Sequence, residues 1–150
     1  MKSSAGIILI RREGATLQIL LGHMGGPFWT RKDQHAWTIP KGEFDLDNEI
    51  PEDAARREFL EETGMEIREE LIALTPFTKN NKRHYFFFLE KNVDPDQLFS
   101  NSFELEWPPK SGKLSAFPEI DRFAWFDLSE AEEKLVKGQA PVFKLVLSHL

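Results

Sequence analysis

The chain contains no cysteine. This excludes disulfides, thiolate metal centres, iron–sulfur clusters and a cysteine nucleophile. No apolar run approaches the roughly 18 residues that a membrane-spanning helix needs. The opening segment holds one short apolar run, Ile7-Ile8-Leu9-Ile10, before Arg11 and Arg12. That is too short for the apolar heart of a signal peptide. Basic excess is missing as well. Nineteen Lys and Arg face 25 Asp and Glu, for a formal net charge of −6. No basic stripe is present, so attachment to nucleic acid by charge is not expected, although an end-capped RNA remains open as a substrate. Repeats, low-complexity tracts and linkers are also absent.

What remains is a chain of 150 residues, 41% of them hydrophobic, with 13 Phe and 4 Trp. This length suits one domain, and the aromatic content argues against intrinsic disorder. The expectation is therefore a single soluble, cytoplasmic domain over residues 1–150, with no membrane partner.

The negative charge is concentrated. Residues 41–66 carry ten acids against Lys41, Arg56 and Arg57, a net of −7. The other 124 residues carry 16 bases and 15 acids, a net of +1. A solvated acidic helix face is one reading of such a cluster. A hard-cation site for Mg²⁺, Mn²⁺ or Ca²⁺ is the other. Spacing separates the two.

Pro51 to Thr63 reads as a helix, with Pro in its first turn, Ala54 and Ala55 inside and Gly64 at the C-terminal stop. Ile50 is a poor cap, so Asn48 or Glu49 is expected to serve. At 100° per residue, with Glu58 at zero, Glu61 falls at about −60° and Glu62 at about +40°. Glu52, at about 120°, lies outside this arc. Glu58 and Glu62 are like charges at i,i+4, which is locally unfavourable unless a cation joins them. Arg57 borders the arc and can pair with Glu49 to fix the loop before the helix; two independent surface charges are the alternative.

Around this helix the pattern mixes strands and helices with no regular βαβ period, which suggests a mixed sheet covered by helices. Strands are expected over Ser4–Arg11, Leu17–Leu21, Trp37–Pro40, Leu71–Phe77, His84–Leu89, Ser100–Trp107 and Ile120–Phe126. Loops are expected at Gly25-Gly26-Pro27 and after Pro108-Pro109. Two further helices are expected over Leu128–Val136 and Val142–Leu147.

The run Gly42…Glu49-Ile-Pro-Glu-Asp-Ala-Ala-Arg56-Arg57-Glu58-Phe59-Leu60-Glu61-Glu62-Thr63-Gly64-Met65 closely resembles the Nudix box, G-x5-E-x7-R-E-U-x-E-E-x-G-U with U apolar. Every position from Glu49 onward matches. One departure is present: six residues, not five, separate Gly42 from Glu49. The resemblance implies an α+β fold, the Nudix α/β/α sandwich with a mixed β-sheet. It implies a hydrolase that cleaves a nucleoside diphosphate linked to another moiety by water attack on phosphorus. The substrate would be a small-molecule nucleotide. Trp37-Thr38-Ile39-Pro40-Lys41-Gly42 and the opening Ser-Ala-Gly-Ile-Ile-Leu are also similar to the diadenosine tetraphosphate hydrolase branch; a MutT-like nucleoside triphosphatase is equally compatible. By resemblance Glu58, Glu61, Glu62 and the Gly42 carbonyl would bind Mg²⁺ or Mn²⁺, and Arg57 would belong to the catalytic set. A non-catalytic Nudix-like module that senses a nucleotide is the alternative, though such modules usually lose box carboxylates.

In MutT-like members a glutamate about six residues before a strand Trp acts as base or metal ligand. Glu119 stands six before Trp125, and its placement after a Gly/Ser/Lys loop would let it swing toward the box helix. Glu104 and Glu106 are rivals, two apart and so on one strand face. His84 is a weaker candidate. Lys41 is placed to touch a phosphate or to remain a solvated lysine. Trp29 and Tyr85, together with Phe28, Phe103 and Trp107, are candidates for stacking on a nucleobase or for ordinary core packing.

Overall fold

The structure is a computed structural model describing residues 1–150. Strand β1 (Lys2–Glu13) turns through Gly14 into β2 (Thr16–Met24). The short β3 (Trp37–Thr38) and β4 (Lys41–Phe44) follow, then helix α1 (Pro51–Thr63). Next come β5 (Ile72–Ala73), β6 (Phe77–Lys79), β7 (Lys82–Glu90), β8 (Ser102–Glu106), β9 (Leu114–Pro118) and β10 (Ile120–Asp127). The chain closes with α2 (Leu128–Lys134) and α3 (Val142–Leu147). No helix is long and apolar enough to cross a membrane.

The main sheet runs β10-β2-β1-β7-β5, with β3 on β2, β4 on β1 and β6 on β7. β1 and β7 pair in parallel and the other pairings are antiparallel, so the sheet is mixed. β1 is central, and residues Ser4 to Ile10 are all buried. A strand covered on both faces needs apolar residues without alternation, and Ile7-Ile8-Leu9-Ile10 meets that need. Ile8, Ile10, Phe86 and Phe88 pack with Ala131 of α2 and with Val142, Phe143 and Val146 of α3. Ala5, Ile7, Leu9 and Phe87 pack with Ala54, Ala55 and Phe59 of α1 on the other face. The result is the helix–sheet–helix sandwich.

Four local expectations are corrected. Ile50 itself caps α1 in extended conformation with no side-chain bond, while Glu49 is engaged by Arg57 and Asn48 by Asp45. The strand expected over Leu71–Phe77 is split into β5 and β6, because Pro76 has no N–H to donate. The Ser/Gly/Lys stretch after Pro109 is only partly loop: Leu114–Pro118 is a strand that pairs with β8 in a separate two-stranded ribbon. Finally, α2 ends at Lys134, short of Val136.

Candidate active site

α1 lies against β4 and β1 through its small residues. The contact is tightest at Gly42, where a Cβ would stand 1.9 Å from Glu58 Oε2. Space, not backbone conformation, favours glycine here: a Cβ would fit only if the Glu58 carboxylate moved. The extra residue before Glu49 is absorbed in a turn built on Asp45: its Oδ1 accepts from the Asp47 amide at 3.0 Å, and its carbonyl accepts from the Asn48 and Glu49 amides at 3.0 Å. Glu49 therefore still reaches Arg57.

Arg57 is the hub. Its Nε and Nη2 donate to the two Glu49 oxygens, each at 2.9 Å, a bidentate fork that fixes the loop to the helix. Its Nη1 donates to Glu58 at 2.9 Å and to Glu61 at 3.1 Å. Glu58 is buried, and this burial raises its carboxyl above the usual carboxylate range despite the Arg57 charge. Glu61 is more exposed. Glu52 pairs instead with Arg56 at 3.4 Å, away from this group.

Glu62 turns to a different neighbourhood. A cavity of about 160 Å³ is lined by Glu62, Glu119, Lys41, Thr38, Met24 and Gln139, among others. Burial, the nearby Glu119 charge and Glu58 push the Glu62 carboxyl up to about 8. Burial and the Lys82 charge hold the Lys41 ammonium below the ordinary lysine range. Two carboxyl groups and one lysine thus share a partly dry compartment.

Glu119 is the single residue between β9 and β10. It is not on a loop free to swing: its amide donates to the Asn101 carbonyl and its carbonyl accepts from the Gly25 amide, both at 2.9 Å. Gly25 is required for this fit, since a Cβ there would lie 1.9 Å from the Pro118 oxygen. Glu104 and Glu106 are exposed on the separate ribbon and do not line this cavity. Glu106 is occupied by the Lys110 amide at 2.8 Å.

The aromatic candidates are not gathered at this compartment. Trp29 packs against the core, with the Lys32 ammonium 5.2 Å from its ring centre. The Tyr85 ring meets Phe44 edge-on at 5.8 Å, on the α1 side of the sheet. Phe28 meets Trp107 at 5.6 Å, and Phe103 meets Phe117 at 6.1 Å. His84 is buried in a cluster of three mutually adjacent rings, 4.9 Å from Phe77 and 5.8 Å from Phe86, which are themselves 6.0 Å apart. Gln139 is a site residue that sequence reasoning misses. It is buried, accepts from the Ile39 amide at 3.0 Å and donates to Thr38 Oγ1 at 2.9 Å, which sets one wall of the cavity. A lone Gln far along the chain carries no sequence signal for this role.

No three acidic or histidine side chains converge closely enough to hold one ion in this arrangement: Arg57 Nη1 bonds both Glu58 and Glu61, while Glu62 faces the cavity it shares with Lys41 and Glu119. The donor chemistry nonetheless fits a hard divalent cation: carboxylate oxygens dominate, and the raised Glu62 carboxyl marks negative charge crowded beyond what the lone Lys41 offsets.

A family model, the NUDIX domain, matches residues 1–146. The chain belongs to the Nudix family. Its enzyme class is that of the Nudix phosphohydrolases, which generally use divalent metal ions. An uncharacterized 17.7 kDa protein in the e-segB intergenic region of Enterobacteria phage T4 is 31% identical over 126 residues, covering 81% of this chain and 79% of that protein. An Ap4A hydrolase binary complex from C. elegans superposes with a TM-score of 0.61 at 18% identity, covering 99% of this chain and 97% of that one. The NUDIX domain of Shewanella oneidensis NrtR, complexed with ADP ribose, superposes with a TM-score of 0.65 at 12% identity, covering 98% and 86%. At those identities the likeness establishes the fold, and the family rests on the domain match.

Proposed function

We propose that this Nudix chain is a metal-dependent pyrophosphohydrolase that opens a phosphoanhydride of a dinucleoside polyphosphate or nucleoside triphosphate. The observation that carries the reading is the shared compartment of Glu62, Glu119 and Lys41 beside the carboxylate face of α1. Glu58, Glu61, Glu62 and the Gly42 carbonyl would hold Mg²⁺ or Mn²⁺. Bound there, the cation would neutralise anhydride oxygens and acidify water. Lys41 donates to a non-bridging phosphate oxygen and orients the chain. Glu119, held by its two backbone bonds, accepts a proton from the attacking water. The water oxygen bonds to phosphorus, the bridging P–O bond breaks, and the leaving phosphate takes its electron pair. Arg57 keeps the helix and the Glu49 loop in register rather than touching substrate.

The solved neighbours support a nucleotide with linked phosphates: one is an Ap4A hydrolase and one holds ADP ribose. The second reading is a module that binds a nucleotide without turnover; the ADP-ribose complex supports nucleotide binding under either reading. One panel separates the two. Purified chain with Mg²⁺ or Mn²⁺ is given dinucleoside polyphosphates, nucleoside triphosphates and nucleotide sugars, and the products are identified by mass. Turnover that needs metal supports the hydrolase. Tight binding without products supports the sensor.

A further inference from the structure

Glu119 enters the cavity beside an irregularity in β10. Ile120 pairs with Met24 of β2 and Arg122 with His23, so Asp121 is an extra residue with no partner, a β-bulge. The bulge changes which face each side chain takes. Ile120 and Phe123 are three apart, and a regular strand would send them to opposite faces. Both are instead buried in the cluster that α1 covers, and a Cβ on Gly22 would meet them at 2.6 and 3.1 Å. A ladder continued in register beyond Arg122 would turn Ile120 out of that cluster, and Glu119 with it.

The bulge is fastened from inside the fold. The Asp121 carboxylate accepts from His23 Nδ1, at 2.9 Å to one oxygen and 3.1 Å to the other. His23 is fully buried, and its Nε2 donates to the Lys32 carbonyl at 2.6 Å. Carboxylate and carbonyl oxygens only accept, so each ring nitrogen donates and carries hydrogen. A buried donor is expensive to leave unpaired, so His23 holds both partners firmly. Glu119 is also approached from the helix side. Asn101, whose carbonyl holds the Glu119 amide, donates its own amide to the Glu61 carbonyl at 2.9 Å. Ser100 Oγ accepts from the Ile120 amide, also at 2.9 Å.

Resting on the hydrolase reading above, we propose that Asp121 and His23 are positioning residues for the hydrolysis: their clasp holds the bulge, and the bulge aims the Glu119 carboxylate at the attacking water. Neither touches substrate. Asp121 is turned onto His23, and His23 is shut off from solvent. The Ser100–Asn101 segment sets Glu119 from the α1 side, and the clasp sets it from the β2 side.

The test is a double-mutant cycle, read in kcat and KM with Mg²⁺ and the best nucleotide substrate. Asp121→Ala is expected to lower kcat by about 10²-fold with KM little changed, the cost of misplacing a catalytic group by roughly an ångström. Asp121→Asn keeps an oxygen that accepts from His23 and is expected to recover most of the rate. In the Glu119→Gln background Asp121→Ala is expected to cost nothing more, because no carboxylate is left to aim. Asp121→Ser takes the place of Asp121→Ala if the latter does not fold. An equal loss in both backgrounds overturns the proposal, as does a wild-type kcat in Asp121→Ala. Amide hydrogen exchange needs no turnover. In Asp121→Ala the Glu119 and Ile120 amides are expected to exchange about tenfold faster, while Ile8 in the centre of β1 is unchanged. Unchanged exchange at Glu119 and Ile120 also overturns the proposal. If the wild type hydrolyses nothing, the hydrolase reading fails, and the exchange alone decides whether the clasp holds Glu119.

Discussion

Gly42 and Glu58 are packed so closely that the carboxylate of one fills the space a methyl group on the other would need: a Cβ at Gly42 would lie 1.9 Å from Glu58 Oε2. The obstacle is the end of a flexible side chain, so Gly42→Ala can be accommodated by moving Glu58. The expected outcome is a folded protein, with a small change in melting temperature, whose rate falls by about 10²-fold because a catalytic carboxylate is displaced by roughly an ångström. Steady-state kinetics beside a thermal melt checks this. Wild-type rates in Gly42→Ala would show that the Glu58 position does not matter.

Glu62 links charge to stability. Its carboxyl, pushed up to about 8, binds a proton more tightly in the folded chain than in the unfolded one. The sign follows: without metal its contribution is full below the ordinary glutamate range and is lost as pH rises through about 8. Melting temperature in the presence of chelator should therefore decline across that window, and Glu62→Gln should flatten the decline. Added Mg²⁺ or Mn²⁺, binding the folded state, should raise the stability by RT ln(1 + [L]/Kd) and the melting temperature with it. Glu61→Gln should blunt the rise.

Glu119 is predicted to act on the transition state. Glu119→Gln keeps the backbone bonds to Asn101 and Gly25 and removes only the proton acceptor. The rate constant kcat should fall with KM little changed. Glu104→Gln and Glu106→Gln, on the exposed ribbon, should retain activity. Full activity in the Glu119 variant with a large loss in either ribbon variant would move the role to β8.

The box helix is legible in the sequence because its evidence is local: Pro51, Gly64 and the three-and-four spacing of Glu58, Glu61 and Glu62 all lie within one element. The Glu49–Arg57 pair is legible for the same reason. Buried β1 can be read from Ile7-Ile8-Leu9-Ile10, since a strand covered on both faces needs no alternation. The cavity cannot be read this way. Gln139 reaches Ile39 and Thr38 across a hundred residues. Glu119 is a candidate only through the MutT-like resemblance, beside Glu104 and Glu106, and its rigidity depends on Asn101 and Gly25, which only the fold brings together.

The central claim is that one face of α1, and not acidity in general, carries the chemistry. The direct measurement compares Glu62→Gln with Glu52→Gln in Mg²⁺-supported hydrolysis of the best nucleotide substrate. Glu62 shares its cavity with Lys41 and Glu119, while Glu52 pairs with Arg56 away from them. The account predicts a loss of orders of magnitude for Glu62→Gln and a near wild-type rate for Glu52→Gln. Comparable losses in both variants would contradict it.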